Sequence, residues 1–272
     1  MLYVPGDKPR ALEKARTLPC DGVILDLEDA VAPEAKEAAR RGIAEALQAD
    51  YGGRELILRV SAADCEEDFA LAEGLPLHGV LIPKVESAEA VCAVRTRHPI
   101  WCMIETPRGV LRAAEIAQTS EQLAGFVAGT NDLTKELRAR HTPGRTPLLT
   151  SLSLLLLAAR AYGLAALDGV HLDLDDLAGF EASCRQGAEL GFDGKTLVHP
   201  STIDIANQAF GPSDEDVAKA RQMVLAWEAA RLEGKGVARI GGAMVEQLHV
   251  DEAVRLIGLA DRIAEVHTKV TP

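Results

Sequence analysis

Short apolar runs alternate with longer helix-like stretches along most of this chain, and that alternation limits its fold more than any other feature. Eight runs have strand length and strand composition: Leu2–Val4, Gly22–Leu27, Leu56–Val60, Gly79–Ile82, Ile100–Ile104, Gly125–Ala128, Gly169–Leu172 and Thr196–Val198. Between them, Lys8–Thr17 carries Ala11, Leu12 and Ala15 at helical spacing, and Pro33–Leu47 opens with a proline suited to a first helical turn. Ser87–His98, Val110–Gln118, Leu148–Tyr162 and Leu174–Leu190 fill most of the other gaps. A strand reached through a crossover helix lies parallel to the one before it. Eight such units in about 200 residues predict an α/β fold, a (β/α)8 TIM barrel over residues 1–200. An open nucleotide-binding sheet would place a glycine fingerprint after its first strand; Pro5-Gly6-Asp7 is not one, and there is no P-loop.

The pattern changes after Pro200. Ser201–Ala209 reads as helix, and Ser213-Asp214-Glu215-Asp216 supplies a cap and acidic first turn for a helix through Leu232. Gly234, Gly236, Gly241 and Gly242 then mark a flexible stretch, followed by an expected last helix at Val250–Val266. Residues 201–272 are therefore expected to form a C-terminal helical extension. It either caps its own barrel or acts as a lid on a neighbouring subunit.

Composition narrows the functional classes. A net charge of −12 disfavours a nucleic-acid or anionic-membrane surface, though local arginines can still hold an anionic substrate. The Leu- and Ala-rich segment Leu148–Leu167 contains Arg160, which a membrane span would have to bury, so it reads as a core helix. The five cysteines are odd in number and show no CxxC spacing, which points to a reducing, cytoplasmic compartment. Strand-like Leu2-Tyr3-Val4 followed at once by Pro5-Gly6 does not read as a signal peptide.

Active sites of such barrels gather at the C-terminal ends of the strands. Read in order, those ends are Asp26 with Glu28 and Asp29, Arg59, Lys84, Glu105, Asp132, His171 with Asp173, and His199. Glu105 and Asp132 close consecutive apolar runs, so neighbouring parallel strands would bring two hard oxygen donors to one rim. Two carboxylates leave coordination positions open for water and substrate, as magnesium prefers, and the His/Cys mixture of a zinc site is missing. A metal held this way polarises and orients a substrate oxygen.

Arg59 ends a mostly apolar run and is either a surface salt-bridge partner or a holder of carboxylate or enolate oxygen. Glu28 and Asp29 either hold metal-bound water or pair with Arg59 or Lys84. Lys84 reads as a charge partner, because nearby acids keep its pKa too high for Schiff-base chemistry. His171 and His199 are either structural or acid–base groups.

These segments resemble the citrate lyase β-subunit-like (CitE-like) family of the HpcH/HpaI aldolase superfamily. The resemblance rests on Leu2-Tyr3-Val4-Pro5-Gly6, Asp26-Leu27-Glu28-Asp29-Ala30-Val31, Leu58-Arg59-Val60, Ile82-Pro83-Lys84, Ile104-Glu105-Thr106-Pro107, Gly129-Thr130-Asn131-Asp132-Leu133 and Val198-His199-Pro200. It implies a (β/α)8 barrel, usually a homotrimer, with Mg²⁺ on Glu105 and Asp132 and with Arg59 and Glu105 facing the substrate. The implied chemistry is reversible Claisen-type cleavage of a 3-hydroxyacyl thioester, on coenzyme A or an acyl carrier protein. The products are an acetyl-type thioester and a 2-keto acid such as oxaloacetate. A class II aldolase acting on free hydroxy-keto acids, or a partner-dependent subunit, remains open. The tail Gly242-Ala243-Met244-Val245-Glu246 resembles a motif whose acid is often aspartate and enters a neighbouring subunit's site. Glu246 is one methylene longer, which counts against thioester hydrolysis.

Overall fold

The structure, a computed structural model, describes residues 1–234, 237–240 and 243–270, without side-chain detail at position 243 or 266–270. Gly236, Gly241 and Gly242 of the glycine-marked stretch lie outside the described residues. The chain divides into two compact units, Met1–Phe210 and Gly211–Pro272.

The first unit is a (β/α)8 barrel. Its elements are β1 (Leu2–Pro5), α1 (Pro9–Ala15), β2 (Gly22–Asp26), α2 (Lys36–Ala46), β3 (Glu55–Arg59), α3 (Glu66–Glu73), β4 (Gly79–Ile82), α4 (Ala88–Ala93), β5 (Ile100–Ile104), α5 (Pro107–Leu111), α6 (Ala113–Ala117), β6 (Leu123–Ala128), α7 (Thr130–Glu136), α8 (Leu149–Ala161), β7 (Ala165–Asp168), α9 (Leu177–Leu190), β8 (Gly194–Lys195) and α10 (Ile203–Phe210). The strands pair in chain order, β1 to β8, and all are parallel. A bridge between Leu2 and Leu197 joins the two ends: Tyr3 N donates to Leu197 O and Leu197 N to Met1 O, each at 2.8 Å.

Register decides what each strand residue faces. Ile24, Ile57, Leu81, Met103, Val127 and Leu167, one from each of β2 to β7, form the barrel interior with Met1, Tyr3 and Trp101 packed against them. Their neighbours along the pleat, such as Leu25, Leu58, Ile82, Ile104 and Phe126, join the layer between sheet and helices. Burying an aliphatic side chain of this kind contributes about 1.5–3 kcal/mol. Trp101 fills the lower interior because a neighbouring strand offers no side chain there: a Cβ on Gly125 would fall 2.5 Å from its ring.

Two strands differ from the sequence reading. The seventh is Ala165–Asp168, not Gly169–Leu172. Helix α8 stops at Gly163, which adopts φ +70°, and Leu164 N folds back onto Ala159 O. The run after that stop, which sequence alone merged with the helix, therefore enters the sheet. The eighth is the short Gly194–Lys195, set by pairing to Leu167 and Asp168, and Thr196–Val198 lies past it at the rim. The helix expected at Val110–Gln118 starts at Pro107 and is split at Arg112 into α5 and α6. That expected at Ser87–His98 ends at Ala93, and α3 and α7 occupy stretches where the sequence pattern predicts no separate helix.

In the second unit, α11 (Asp214–Leu232) begins at Ser213, whose Oγ accepts Asp216 N at 3.1 Å. An antiparallel hairpin, β9 (Ala238–Ile240) with β10 (Ala243–Val245), precedes α12 (Gln247–Val270). Trp227, Ala230, Ala238, Val245 and Val250 form its core. No described helix is long and apolar enough to cross a membrane.

Candidate active site

The C-terminal rim of the barrel surrounds a cavity of about 280 Å³. Of the residues the sequence singled out, Asp26, Asp29, Arg59, Glu105 and Asp132 line it, together with Tyr3, Met103, Thr130 and Thr196. The first group of side chains comes from the ends of β2 and β3. The register places Asp26 opposite Arg59, and both point inward one pleat beyond Ile24 and Ile57. Arg59 Nε donates to Asp26 Oδ1 at 2.7 Å and Nη2 to Oδ2 at 2.6 Å, a bidentate pair. Arg59 Nη1 also lies 2.8 Å from Glu28 Oε2, an ion-pair contact without hydrogen-bond alignment. Burial works against the guanidinium charge, but the Asp26 hydrogen bonds and charge outweigh it and raise the pKa above the ordinary value. Arg59 is 7% exposed, so it is not a surface salt-bridge residue.

Glu28 takes a second cation. Lys84 Nζ donates to its Oε1 at 3.0 Å, and this bond holds the Lys84 pKa above the usual range. That arrangement makes Lys84 a charge partner with no tendency to act as a free amine. The Lys84 backbone adopts φ 52°, a left-handed conformation uncommon for a residue with a side chain. It aims the Lys84 N–H at Glu105 Oε1, 2.8 Å away.

Glu105 follows β5 directly and is 3% exposed. Among the described residues it has no Lys or Arg ion-pair partner. Desolvation, followed by the nearby charges of Glu28 and Asp132, outweighs the Lys84 N–H and Arg59 and pushes its pKa up to about 8. Its side chain fits because position 129 is glycine: a Cβ there would overlap Glu105 Cβ and lie 2.5 Å from Oε2. Asp132 is not at a strand end. It stands in the first turn of α7, half-buried, where the helix N-terminus favours a carboxylate.

Two hard carboxylates in one cavity, one of them destabilised as an anion and without a cationic partner, fit an oxygen-seeking divalent cation. No group of three or more His, Cys, Asp or Glu that could hold a metal occurs among the described residues.

The other polar residues at the strand ends contribute less. Asp29 is exposed at the cavity edge. His199 is an exposed helix cap: its Nδ1 receives Ser201 N at 3.2 Å. His171 is half-buried against Phe180, with ring centroids 5.9 Å apart, and burial lowers its pKa. Asp173 accepts the backbone N–H groups of Asp175 and Asp176 in an exposed turn. Glu246 belongs to the second unit, exposed just before α12, with its N–H donated to His249 Nδ1 at 3.0 Å.

Sequence reasoning missed two features. Tyr3 sits inside an apolar run, where nothing marks it as a cavity residue. Asp168 and Lys195 were hidden by the misplaced strands. Lys195 Nζ donates to Asp168 Oδ2 at 2.8 Å, and Arg145 Nη1 lies 2.7 Å from both Asp168 oxygens. This cluster packs on the outer side of the sheet against α9, where a Cβ on Gly187 would fall 2.7 Å from Asp168 Oδ2.

Comparison with known proteins agrees with this architecture. The (3S)-malyl-CoA thioesterase of Cereibacter sphaeroides is 47% identical over 97% of this chain and 95% of its own length. The citrate lyase subunit beta of Escherichia coli is 36% identical over 96% of this chain and 92% of its own. A crystal structure of CitE from Mycobacterium tuberculosis, in complex with magnesium, acetoacetate and coenzyme A, superposes with TM-score 0.79 at 34% identity, covering 94% of this chain and 97% of that one. The HpcH/HpaI aldolase/citrate lyase family model matches residues 1–200, and the chain belongs to that family.

Proposed function

We propose that the chain is a Mg²⁺-dependent carbon–carbon lyase that cleaves a 3-hydroxyacyl thioester, such as citryl-, malyl- or citramalyl-CoA, into an acetyl-type thioester and a 2-keto acid. The observation that carries this reading is the pairing of Glu105 and Asp132 with buried Arg59 in one cavity. Glu105 and Asp132 hold the cation, and the magnesium and coenzyme A in the CitE structure support that choice. When bound, Mg²⁺ supplies Lewis-acid polarisation and orientation of the hydroxy- or keto-carboxylate.

The chain's own groups do the rest. Lys84 N–H fixes one Glu105 oxygen and leaves the other toward Gly129. Asp26 locks the Arg59 guanidinium in place, and Glu28, tethered by Lys84, sets its second edge. Arg59 then presents positive charge where the thioester becomes enolate-like. Glu28 and Lys84 act by positioning Arg59 and Glu105, and Asp29 orders water at the cavity edge.

A second reading, hydrolysis of the thioester bond, is favoured by the 47% identity to a malyl-CoA thioesterase and weighs against the expectation drawn from Glu246. Of the extension expected at residues 201–272, the second unit, Gly211–Pro272, is proposed to work as a lid in a homotrimer of a cytoplasmic enzyme, with Glu246 reaching a neighbour's site. A monomeric mass by light scattering would count against that arrangement.

The test is product analysis with Mg²⁺ and the three thioesters. Keto acid and acetyl-CoA in equal amounts support cleavage. Free CoA thiol with the intact hydroxy acid supports hydrolysis. Turnover of a free keto-acid aldol but of no thioester would sink both. Glu105→Ala is expected to remove either activity.

A further inference from the structure

Arg59 has few N–H bonds to spare for a substrate. Nε and Nη2 each donate to Asp26, while Nη1 faces Glu28 at 2.8 Å and contacts Met103 Sδ at 3.9 Å. Its charge is matched by two carboxylates at contact distance. An arginine so committed orients a substrate well, but it stabilises new negative charge less than a free guanidinium would.

Tyr3 stands against it. Arg59 Cζ lies 4.7 Å from the Tyr3 ring centroid, and Tyr3 lines the same cavity as Arg59, Met103 and Glu105. The Tyr3 hydroxyl is buried and has no hydrogen-bond partner among the described residues. Leaving a buried hydroxyl unpaired is destabilising, because its lost hydration is not replaced. A bound acceptor would remove that cost. Burial also keeps the phenol protonated, with its pKa above the ordinary value, so it remains a donor.

We propose that Tyr3 is a catalytic residue: its O–H donates a hydrogen bond to the thioester carbonyl oxygen of the bound substrate. This rests on the thioester reading above. In the cleavage, the bond between the hydroxyl-bearing carbon and the adjacent methylene breaks. The electron pair passes to the thioester, and negative charge collects on its oxygen. The substrate hydroxyl gives its proton to water as its carbon becomes the carbonyl of the 2-keto acid, and the enolate carbon takes a proton from water to become the methyl of the acetyl group. Tyr3 keeps its proton throughout. The same oxygen gains charge if water attacks the thioester, so the hydroxyl serves both possible outcomes.

Tyr3→Phe keeps the ring beside Arg59 and removes one oxygen atom. Steady-state kinetics on citryl-, malyl- and citramalyl-CoA should show kcat reduced about 100-fold with KM little changed. The melting temperature should stay level or rise, because an unpaired buried hydroxyl has been removed. Titration with Mg²⁺ and oxaloacetate should show unchanged affinity, which establishes that the cavity is intact. A kcat within twofold of the parent, a loss confined to KM, or an equal loss of oxaloacetate affinity would each overturn the assignment. If the parent itself turns over no thioester, the thioester reading fails and the Tyr3 role fails with it. If the parent is active and Tyr3→Phe matches it, only the Tyr3 role fails.

Discussion

Asp26 and Asp168 are alike in nearly every local respect and differ in what they serve. Each is the last residue of its strand, each is fully buried, and each receives an arginine at 2.7 Å or closer. Asp26 points into the barrel and its arginine lines the cavity. Asp168 points outward, between sheet and helix, and its arginine comes from the loop after α7. The difference is one step in pleat phase. On one side of the sheet a buried ion pair positions a cation for a ligand; on the other it fastens a loop. Burial and pairing therefore do not mark a functional group until the facing direction is known.

The largest effect should come from Asp168→Ala. It leaves buried Lys195 and Arg145 without their carboxylate, and urea titration should show a loss of about 3–5 kcal/mol. The kcat of the protein that still folds should stay within a few-fold of the parent. Asp26→Ala should reverse that balance. Arg59 keeps Glu28, so stability falls less, but kcat/KM should drop about 100-fold as the guanidinium loses its orientation. If both variants lose activity in proportion to stability, the distinction between the two sides of the sheet collapses.

A pH experiment sharpens the cavity side. Glu105 titrates near 8 in the folded protein against 4.5 ordinarily, so between those values the folded state holds a proton that the unfolded state has released. The stability this provides is full below about pH 4.5 and is lost as pH rises toward 8, a fall of roughly 2–4 kcal/mol. Melts in EDTA should show this slope, and Glu105→Gln should lack it. Saturating Mg²⁺ should flatten it, because the cation favours the carboxylate. The smallest effect expected is that of Gly129→Ala. The added Cβ displaces Glu105, and Mg²⁺ affinity measured by calorimetry should weaken about tenfold.

Strand-end polarity made much of this legible in advance. Arg59 and Glu105 are conspicuous because each terminates an apolar run at the cavity-facing edge. Asp132 stood out for the wrong local reason, since a helix turn rather than a strand presents it. His199 and His171 stay ambiguous in the sequence, because a helix cap and a half-buried ring beside a phenylalanine look the same there as acid–base groups. Asp168 and Lys195 escape the sequence pattern because the seventh strand starts four residues, and the eighth two residues, before the apolar runs that suggest them; the Gly163 helix stop is the available signal. Tyr3 could not have been found, because an inward phenol and an inward isoleucine occupy equivalent positions in an apolar strand. Its hydroxyl gains meaning only once Arg59 is seen beside it.

Lys84 carries two separable devices in one residue. The amide, turned to φ 52°, pins Glu105, while the ammonium restrains Glu28. Glycine at this position would keep the first device, relieve a backbone cost of about 1 kcal/mol and delete the second. Alanine would delete the second and keep the cost. Both substitutions thus remove the restraint on Glu28 while keeping the amide on Glu105, and the difference between them reads the backbone cost alone. They give an engineer a way to retune the cavity's charge without disturbing the carboxylate that anchors it.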